Sequence, residues 1–179
     1  ISAYELINQK IASCKPGAEG VVFLPHLLGE RAPRWNPDAK GVFYGLTPTT
    51  TKAQILRSVM EGVVMNLGNC FDILNRQDAI EELLLIGGAA RSNQWQKSIA
   101  DIFQVKVLVP EYLEEANSMG AAVIAGVGAG IFEDFTAIQR FIKVREQVDA
   151  EKENKQVYEK LREKYNVLYK ALEPVFAMK

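Results

Sequence analysis

Cysteine and histidine are scarce in this sequence. Its 179 residues include two cysteines, Cys14 and Cys70, and one histidine, His26. The cysteines lie far apart and neither belongs to a CxxC pair, so we expect neither a disulfide framework nor a structural metal site. His26 follows an apolar run and can titrate near neutrality. No serine or aspartate partner for a triad is visible, which makes a catalytic role for His26 the less favoured interpretation.

An excess of charge of one sign is also missing. The chain has 21 Lys and Arg residues against 22 Asp and Glu residues, which leaves a net charge of −1. Such a balance lacks the strong positive field that is typical of nucleic-acid-binding proteins. No apolar run is long enough to span a membrane, and no signal peptide is visible. The composition, 48% apolar and 24% charged, is that of one globular domain.

The apolar spacing predicts helices and strands in alternation. Helical periodicity marks the segments 3–13, 52–75, 93–103, 117–131 and 154–172, with a shorter helix near 136–142. Short apolar runs bounded by turn residues predict buried strands at 21–24, 83–86 and 106–109. The segment 144–155 is charged and turn-like. This order predicts an α/β domain with some parallel strand pairing.

Two features of the predicted helix 52–75 concern its packing and its start. Thr51 and its neighbours offer N-caps. Gly62 and Gly68 lie inside the helix, where each glycine costs about 1 kcal/mol of helix propensity relative to alanine. We expect both glycines to mark places where another backbone comes close. The preceding loop, 25–40, is predicted to be ordered in spite of its length.

A pair of glycines follows the second predicted strand. Gly87, Gly88 and Ala89 end that strand, and Ser92 and Asn93 lead into the next helix. Glycines let a ligand approach the backbone closely, and the free amides at a helix start favour anionic or carbonyl partners. Ser92 or Asn93 can cap the helix and also contact a ligand. Without a GxGxxG pattern or a P-loop lysine, a purely structural tight turn remains the alternative.

Two further motifs favour structural roles on pattern alone. Residues 117–122 open a helix rich in small side chains, which is more typical of a helix–helix contact than of a hinge beneath a nucleotide. Glu30 and Arg31, in the loop 25–40, could pair with each other or reach a cleft. Exposed pairs of this kind usually contribute little to stability. The Glu and Lys residues of the last helix are most simply a solvated face.

Taken together, these segments resemble the C-terminal domain of the FGGY family of carbohydrate kinases. The most specific likeness is GVFYGL at 41–46 with QI at 54–55 and SVME at 58–61, similar to the family's second signature pattern. The blocks at 24–33 and 36–41 are similar to family blocks in the same order. Residues 86–93 resemble the adenosine motif of the actin-like ATPase fold, and residues 116–122 resemble its second connecting motif.

The resemblance implies a ribonuclease-H-like (actin-like ATPase) α/β domain, with a mixed sheet flanked by helices, over residues 1–179. Residues 153–173 would form a C-terminal helix. It also implies that this domain binds ATP with Mg²⁺. Adenosine contacts are then expected from five residues: Gly87, Gly88, Ala89, Ser92 and Asn93. Gly120 is expected to be a hinge or packing residue.

The resemblance further implies a cytoplasmic, ATP-dependent kinase acting on a sugar or sugar acid. The family's catalytic aspartate and first phosphate loop belong to an N-terminal domain, and the second phosphate loop would precede Ile1. No catalytic or metal-binding residue is therefore assigned here, and the chain alone is expected to be inactive. Its start at Ile1 is expected to reflect a cut inside a longer protein. The N-terminal domain is the expected partner, with a homodimer as a further candidate.

The loop 30–37 indicates which sugar such a kinase would use. Ala32 together with Trp35 and Asn36 is more similar to gluconate kinases than to xylulose kinases, which are the second choice. Two alternatives remain from other classes. One is a non-catalytic binding module of the same actin-like fold, and the other is an α/β interaction domain whose two glycines only make a turn.

Overall fold

The computed structural model describes residues 1–76 and 79–178. Its α-helices in these ranges are α1 (Ala3–Ala12), α2 (Lys52–Leu74), α3 (Asn93–Phe103), α4 (Ala116–Gly128) and α5 (Lys155–Phe176). Its β-strands are β1 (Val22–Pro25), β2 (Gly41–Tyr44), β3 (Glu82–Leu84), β4 (Lys106–Pro110) and β5 (Val144–Val148). Short 3₁₀ turns lie at Ala18–Gly20, Gly88–Arg91, Phe135–Arg140 and Lys152–Asn154.

The described strands form two separate sheets. β1 and β2 pair antiparallel. In the other sheet, of order β3-β4-β5, β3 runs parallel to β4 and β5 runs antiparallel to it. The predicted α/β fold with a mixed sheet and flanking helices is thus confirmed, including the expected parallel pair.

Helix α2 forms its predicted start and carries much of the core. Thr51 and Gln54 form a capping box, in which the Gln54 amide donates to Thr51 Oγ1 at 3.3 Å and the Thr51 amide donates to Gln54 Oε1 at 2.6 Å. The helix then buries Val64 and Met65 against a cluster that includes the tyrosines of α5. Capping satisfies the exposed end, and apolar burial stabilises the rest.

The two glycines of α2 have different neighbours. A Cβ at Gly62 would lie closer than 3.0 Å to the carbonyl oxygen of Phe23 in β1, so the expected close backbone approach is confirmed there. Gly68 faces the guanidinium of Arg162, with the nearest nitrogen 3.1 Å from a Cβ position. The expectation of a second backbone contact is therefore wrong, because a side chain fills that space.

A buried polar cluster joins α1, α2 and α5. Arg57 Nε lies 2.7 Å from Glu61 Oε1, and the Tyr158 hydroxyl donates to the same oxygen at 2.8 Å. Arg57 also donates to the carbonyl oxygens of Ile11 and Cys14, at 3.3 and 2.7 Å. Loss of solvation raises the pKa of Glu61, and Arg57 opposes that shift. The cluster fixes the end of α1 against the core.

The long loop 25–40 is ordered, as predicted. The amides of Glu30 and Asn36 each donate to the other residue's carbonyl oxygen, at 2.8 and 2.9 Å. Asn36 Nδ2 donates to the hydroxyl of Tyr169 in α5 at 3.0 Å. Arg34 lies over the Tyr169 ring, 3.7 Å from its centroid. These contacts attach the loop to α5.

Several element predictions need correction. The turn-like segment 144–155 contains β5, which pairs with β4. GVFY at 41–44, identified only as a family motif, is the strand β2. The helix near 136–142 is a 3₁₀ turn. Helix α5 continues through Pro174 to Phe176, because the buried Phe176 ring packs edge-on against Tyr169.

The predicted strand 83–86 is not fully buried. β3 lies at the edge of its sheet and ends at Leu84, which is 40% exposed, and Ile86 beyond its end is 43% exposed. The apolar run was therefore misread as an interior strand. In the described ranges, no helix has the length and apolarity that crossing a bilayer would require.

Candidate functional site

The candidate site begins where β3 ends. Gly87 has φ 78° and ψ −161°, a conformation that is essentially restricted to glycine. Gly88 opens the 3₁₀ turn Gly88–Arg91, which leads into α3. No atom lies within 4 Å of a Cβ built on either glycine. The backbone of this turn is therefore accessible to a ligand.

The five residues predicted to bind adenosine lie together at this turn, with different exposure. Gly87, Gly88 and Asn93 are exposed and Ala89 is partly buried. Ser92 is only 8% exposed. It occupies the N-cap position of α3, but its side chain makes no capping bond. The predicted cap position is therefore confirmed for Ser92, but the side-chain hydrogen bond expected of a cap is not made.

The Ser92 hydroxyl instead has a partner in α1. It donates to Asn8 Oδ1 at 2.9 Å, although the two residues are 84 positions apart. A second support lies beneath the turn, where Gln96 Nε2 donates to the carbonyl oxygen of the buried Ala90 at 2.8 Å. Two side chains, Asn8 and Gln96, thus hold the turn, while its glycines remain accessible.

A second loop lies beside Arg91, the last residue of the 3₁₀ turn. Because β3 and β4 are parallel, the residues after both strands meet at the same edge of the sheet, where α/β proteins commonly bind ligands. A cavity of about 360 Å³ lies there, lined by residues 111–115 with Arg91 and Arg145. Arg91 and Glu114 form an ion pair across it. Both side chains are exposed, so the pair contributes little stability.

Helix α4 starts directly after this second loop. An apolar groove of about 400 Å³ separates it from the 3₁₀ turn Phe135–Arg140, with Gly120, Ile124 and Phe135 among its lining residues. Gly120 has no atom within 4 Å of a Cβ position. The tight glycine of α4 is Gly126, which lies against the ring of Phe132. The helix–helix contact predicted for 117–122 therefore does not involve Gly120 in the part of the chain described.

Two parts of the site were missed from the sequence. Asn8 and Gln96 have no local signal, since each acts through a contact that only the tertiary structure creates. The loop 111–115 did have a sequence signal, because loops that follow neighbouring parallel strands meet at the same end of the sheet. Among residues 1–76 and 79–178, no group of three or more His, Cys, Asp or Glu side chains is placed to hold a metal ion.

Comparison with known proteins gives one consistent family. Residues 3–129 match the C-terminal domain of the FGGY family of carbohydrate kinases. A gluconokinase of Bacillus licheniformis is 34% identical over 175 residues, covering 97% of this chain and 34% of that protein. A xylulose kinase of Staphylococcus epidermidis is 36% identical over 170 residues, covering 94% of this chain and 34% of that protein.

Solved structures agree with the sequence relatives. The ligand-bound xylulose kinase from Lactobacillus acidophilus superposes with a TM-score of 0.86 at 26% identity, over 94% of this chain and 34% of that one. The chain thus spans about a third of the length of the relatives it matches. Because residues 3–129 match this family model and the fold agrees with it, this chain belongs to the FGGY family of carbohydrate kinases and corresponds to the family's C-terminal domain.

Proposed function

We propose that this chain is the nucleotide-binding C-terminal domain of an ATP-dependent kinase that phosphorylates a sugar or sugar acid. The observation that carries the proposal is the accessible turn at Gly87 and Gly88, which follows strand β3 of an FGGY C-terminal domain and leads to Arg91, a lining residue of the neighbouring cavity. The proposed adenosine contacts are the five residues of the turn: Gly87, Gly88, Ala89, Ser92 and Asn93.

The turn suits a nucleoside chemically. The open space at both glycines lets a flat ring or a ribose approach the backbone. The first-turn amides of α3 have no side-chain cap, so they are available to an acceptor on a ligand. The neighbouring cavity is lined by two arginines, Arg91 and Arg145, and by three glutamates, Glu111, Glu114 and Glu115, so its formal net charge is −1.

The proposed reaction moves the γ-phosphoryl group of ATP to a hydroxyl of the substrate. Catalysis of this kind depends on positioning and charge stabilisation, and Mg²⁺ would neutralise phosphate charge when bound with ATP. No residue of this chain is assigned to Mg²⁺ or to proton removal. The contribution of this chain would be to hold and orient the adenosine end of ATP.

The partner of this chain would be an N-terminal kinase domain, with a second copy of the chain as the alternative. Helix α4 supports such packing, because Ile124 in its apolar groove is 64% exposed and Gly120 has free space around it. Closure of two domains over ATP would exclude water and limit hydrolysis of the phosphoryl donor. We propose a cytoplasmic location, as expected for an enzyme that uses ATP.

Gluconate is the proposed substrate, and xylulose is the second candidate. The loop residues Arg31 and Trp35 are both exposed and are available to a partner domain or substrate. A guanidinium and an indole suit the carboxylate and the carbon skeleton of a sugar acid. This chain is 36% identical to a xylulose kinase and 34% identical to a gluconokinase, which keeps xylulose as the alternative.

A substitution at Gly88 tests the nucleotide site. Gly88→Asp adds bulk and negative charge at the turn without an internal clash, because nothing lies within 4 Å of the new Cβ. In the full-length enzyme that carries this domain, we expect ATP affinity to fall at least tenfold by calorimetric titration. Gly128→Asp is the matched control, since Gly128 also has free space but lies at the far end of α4.

The control separates site loss from general damage. The melting temperature of Gly88→Asp should stay close to that of Gly128→Asp, while only Gly88→Asp loses ATP. Equal ATP affinity in both variants would remove the site assignment. Turnover of wild-type enzyme on gluconate and on xylulose would rank the two substrates, and ATP binding without turnover on any sugar would favour the non-catalytic module.

A further inference from the structure

The start of α3 departs from the usual behaviour of a serine at the N-cap. A serine there normally accepts a hydrogen bond from an amide of the first helical turn. Ser92 makes no such bond, and its hydroxyl donates to Asn8 Oδ1 at 2.9 Å. Ser92 is 8% exposed, so its orientation is set by protein contacts rather than by solvent.

Asn8 is itself held in place, because α1 is capped at its start and attached to α2 at its end. At its start, Ser2 and Glu5 form a capping box. At its end, Arg57 donates to the carbonyl oxygens of Ile11 and Cys14. Asn8 therefore presents its side-chain oxygen to Ser92 from a fixed helix.

This contact has two chemical consequences at the glycine turn. A hydroxyl carries one proton, so once Ser92 donates it to Asn8, its oxygen offers only lone pairs to any further partner. The oxygen is then suited to the donor groups of a nucleoside, namely a ribose hydroxyl or a ring amino group. The first-turn amides of α3 meanwhile stay free of a side-chain competitor.

We propose that Asn8 is a positioning residue for nucleotide binding, acting through Ser92 at the turn that follows β3. This inference rests on the proposed nucleotide site. It adds to that site a residue from α1, far from the turn in sequence, that does not touch the ligand itself.

Steady-state kinetics of the full-length enzyme test the inference. Asn8→Leu removes the acceptor at similar volume, and we expect the KM for ATP to rise about fivefold, as for the loss of one hydrogen bond. The KM for the sugar and kcat should change less than twofold. Asn8→Asp keeps an acceptor oxygen and should recover most of the loss. Gln9→Leu, an exposed neighbour in α1, is the matched control and should leave all three constants unchanged.

A double-mutant cycle shows whether Asn8 acts through Ser92. Ser92→Ala alone should raise the KM for ATP about as much as Asn8→Leu, and the double variant should add little to either. A double variant whose KM is the product of the single effects, about 25-fold, would overturn the proposal. So would an Asn8→Leu variant whose melting temperature, KM for ATP and KM for sugar worsen in parallel, since that is the signature of a structural role only.

Two experimental outcomes distinguish a failure of this inference from a failure of the proposed nucleotide-binding function. A wild-type enzyme that does not bind ATP would refute the proposed function. A wild-type enzyme that binds ATP, with an Asn8→Leu variant that binds it equally well, would refute only the role of Asn8. If Asn8→Leu does not fold, Asn8→Ala removes the same acceptor without adding apolar bulk.

Discussion

The contact between α2 and β1 leaves no room for a side chain at Gly62. A Cβ there would lie closer than 3.0 Å to the Phe23 carbonyl oxygen, with the Phe23 carbonyl carbon and Cβ at 3.1 and 3.3 Å. The nearest atoms belong to the backbone of a buried strand, so no flexible side chain can move aside. Gly62→Ala therefore requires α2 and β1 to separate.

Two opposing terms set the size of the effect. Alanine in a helix interior gains about 1 kcal/mol over glycine. Forcing extra volume into a packed core costs about 1–3 kcal/mol, and a clash with backbone belongs at the upper end. The strand that must move carries Val22 and Leu24, both buried in the core. We expect Gly62→Ala to lower the free energy of unfolding by about 2 kcal/mol.

Gly120→Ala provides the matched comparison. It makes the same change inside a helix where no atom lies within 4 Å of the new Cβ. Only the propensity term then applies, so the free energy of unfolding should rise by up to about 1 kcal/mol. Urea denaturation followed by circular dichroism measures both. A Gly62→Ala variant as stable as wild type, or two changes of the same sign, would refute the packing argument.

Two further predictions concern buried charge. Burial lowers the pKa of His26 below its ordinary 6.5, against an opposing effect of Glu30. A folded pKa below the unfolded one means that stability is complete above pH 6.5 and is lost as the pH falls below it. Wild type should therefore lose stability faster than His26→Gln between pH 7 and 5.5, by up to about 1.4 kcal/mol per pH unit in urea denaturation at each pH; parallel profiles would contradict this. Arg57→Met or Glu61→Leu alone leaves the partner charge buried and should cost about 3–5 kcal/mol, whereas the double variant should cost less than the sum, and additive losses would argue against a coupled pair.

Local signals predicted all five α-helices of the described residues, although the helix predicted for 117–131 ends at Gly128 and the one near 136–142 is a 3₁₀ turn. The bounds of α3 were predicted correctly, and α2 begins directly after the expected N-cap, Thr51, because its capping box is formed by residues close in sequence. Strand β5 was missed for an equally local reason. In β5, every second residue is Val144, Glu146 and Val148. The charged Glu146 interrupts the apolar alternation that indicates a strand. Only pairing with β4 makes that segment a strand.

The candidate site was predictable in part. The glycine pair after an apolar run, together with the family likeness, identified the turn at 87–93 from sequence alone. The side-chain contacts that hold the turn in place were not predictable. The Asn8–Ser92 bond joins residues 84 positions apart, and nothing in the local pattern around either residue indicates it.

The exposed apolar residues that made the strand prediction wrong lie next to the proposed site. The predicted strand 83–86 looked buried because leucine and isoleucine fill it, yet Leu84 in the edge strand β3 and Ile86, just before Gly87, are both exposed. An adenine ring has apolar faces and a polar edge, and small-molecule sites usually combine apolar walls with a few polar groups. Ile86 can supply the apolar wall, and the amides after Gly87 can supply the polar groups. Sequence rules for burial are expected to fail at functional sites, and the segment 83–86, next to the proposed site, is a place where they failed.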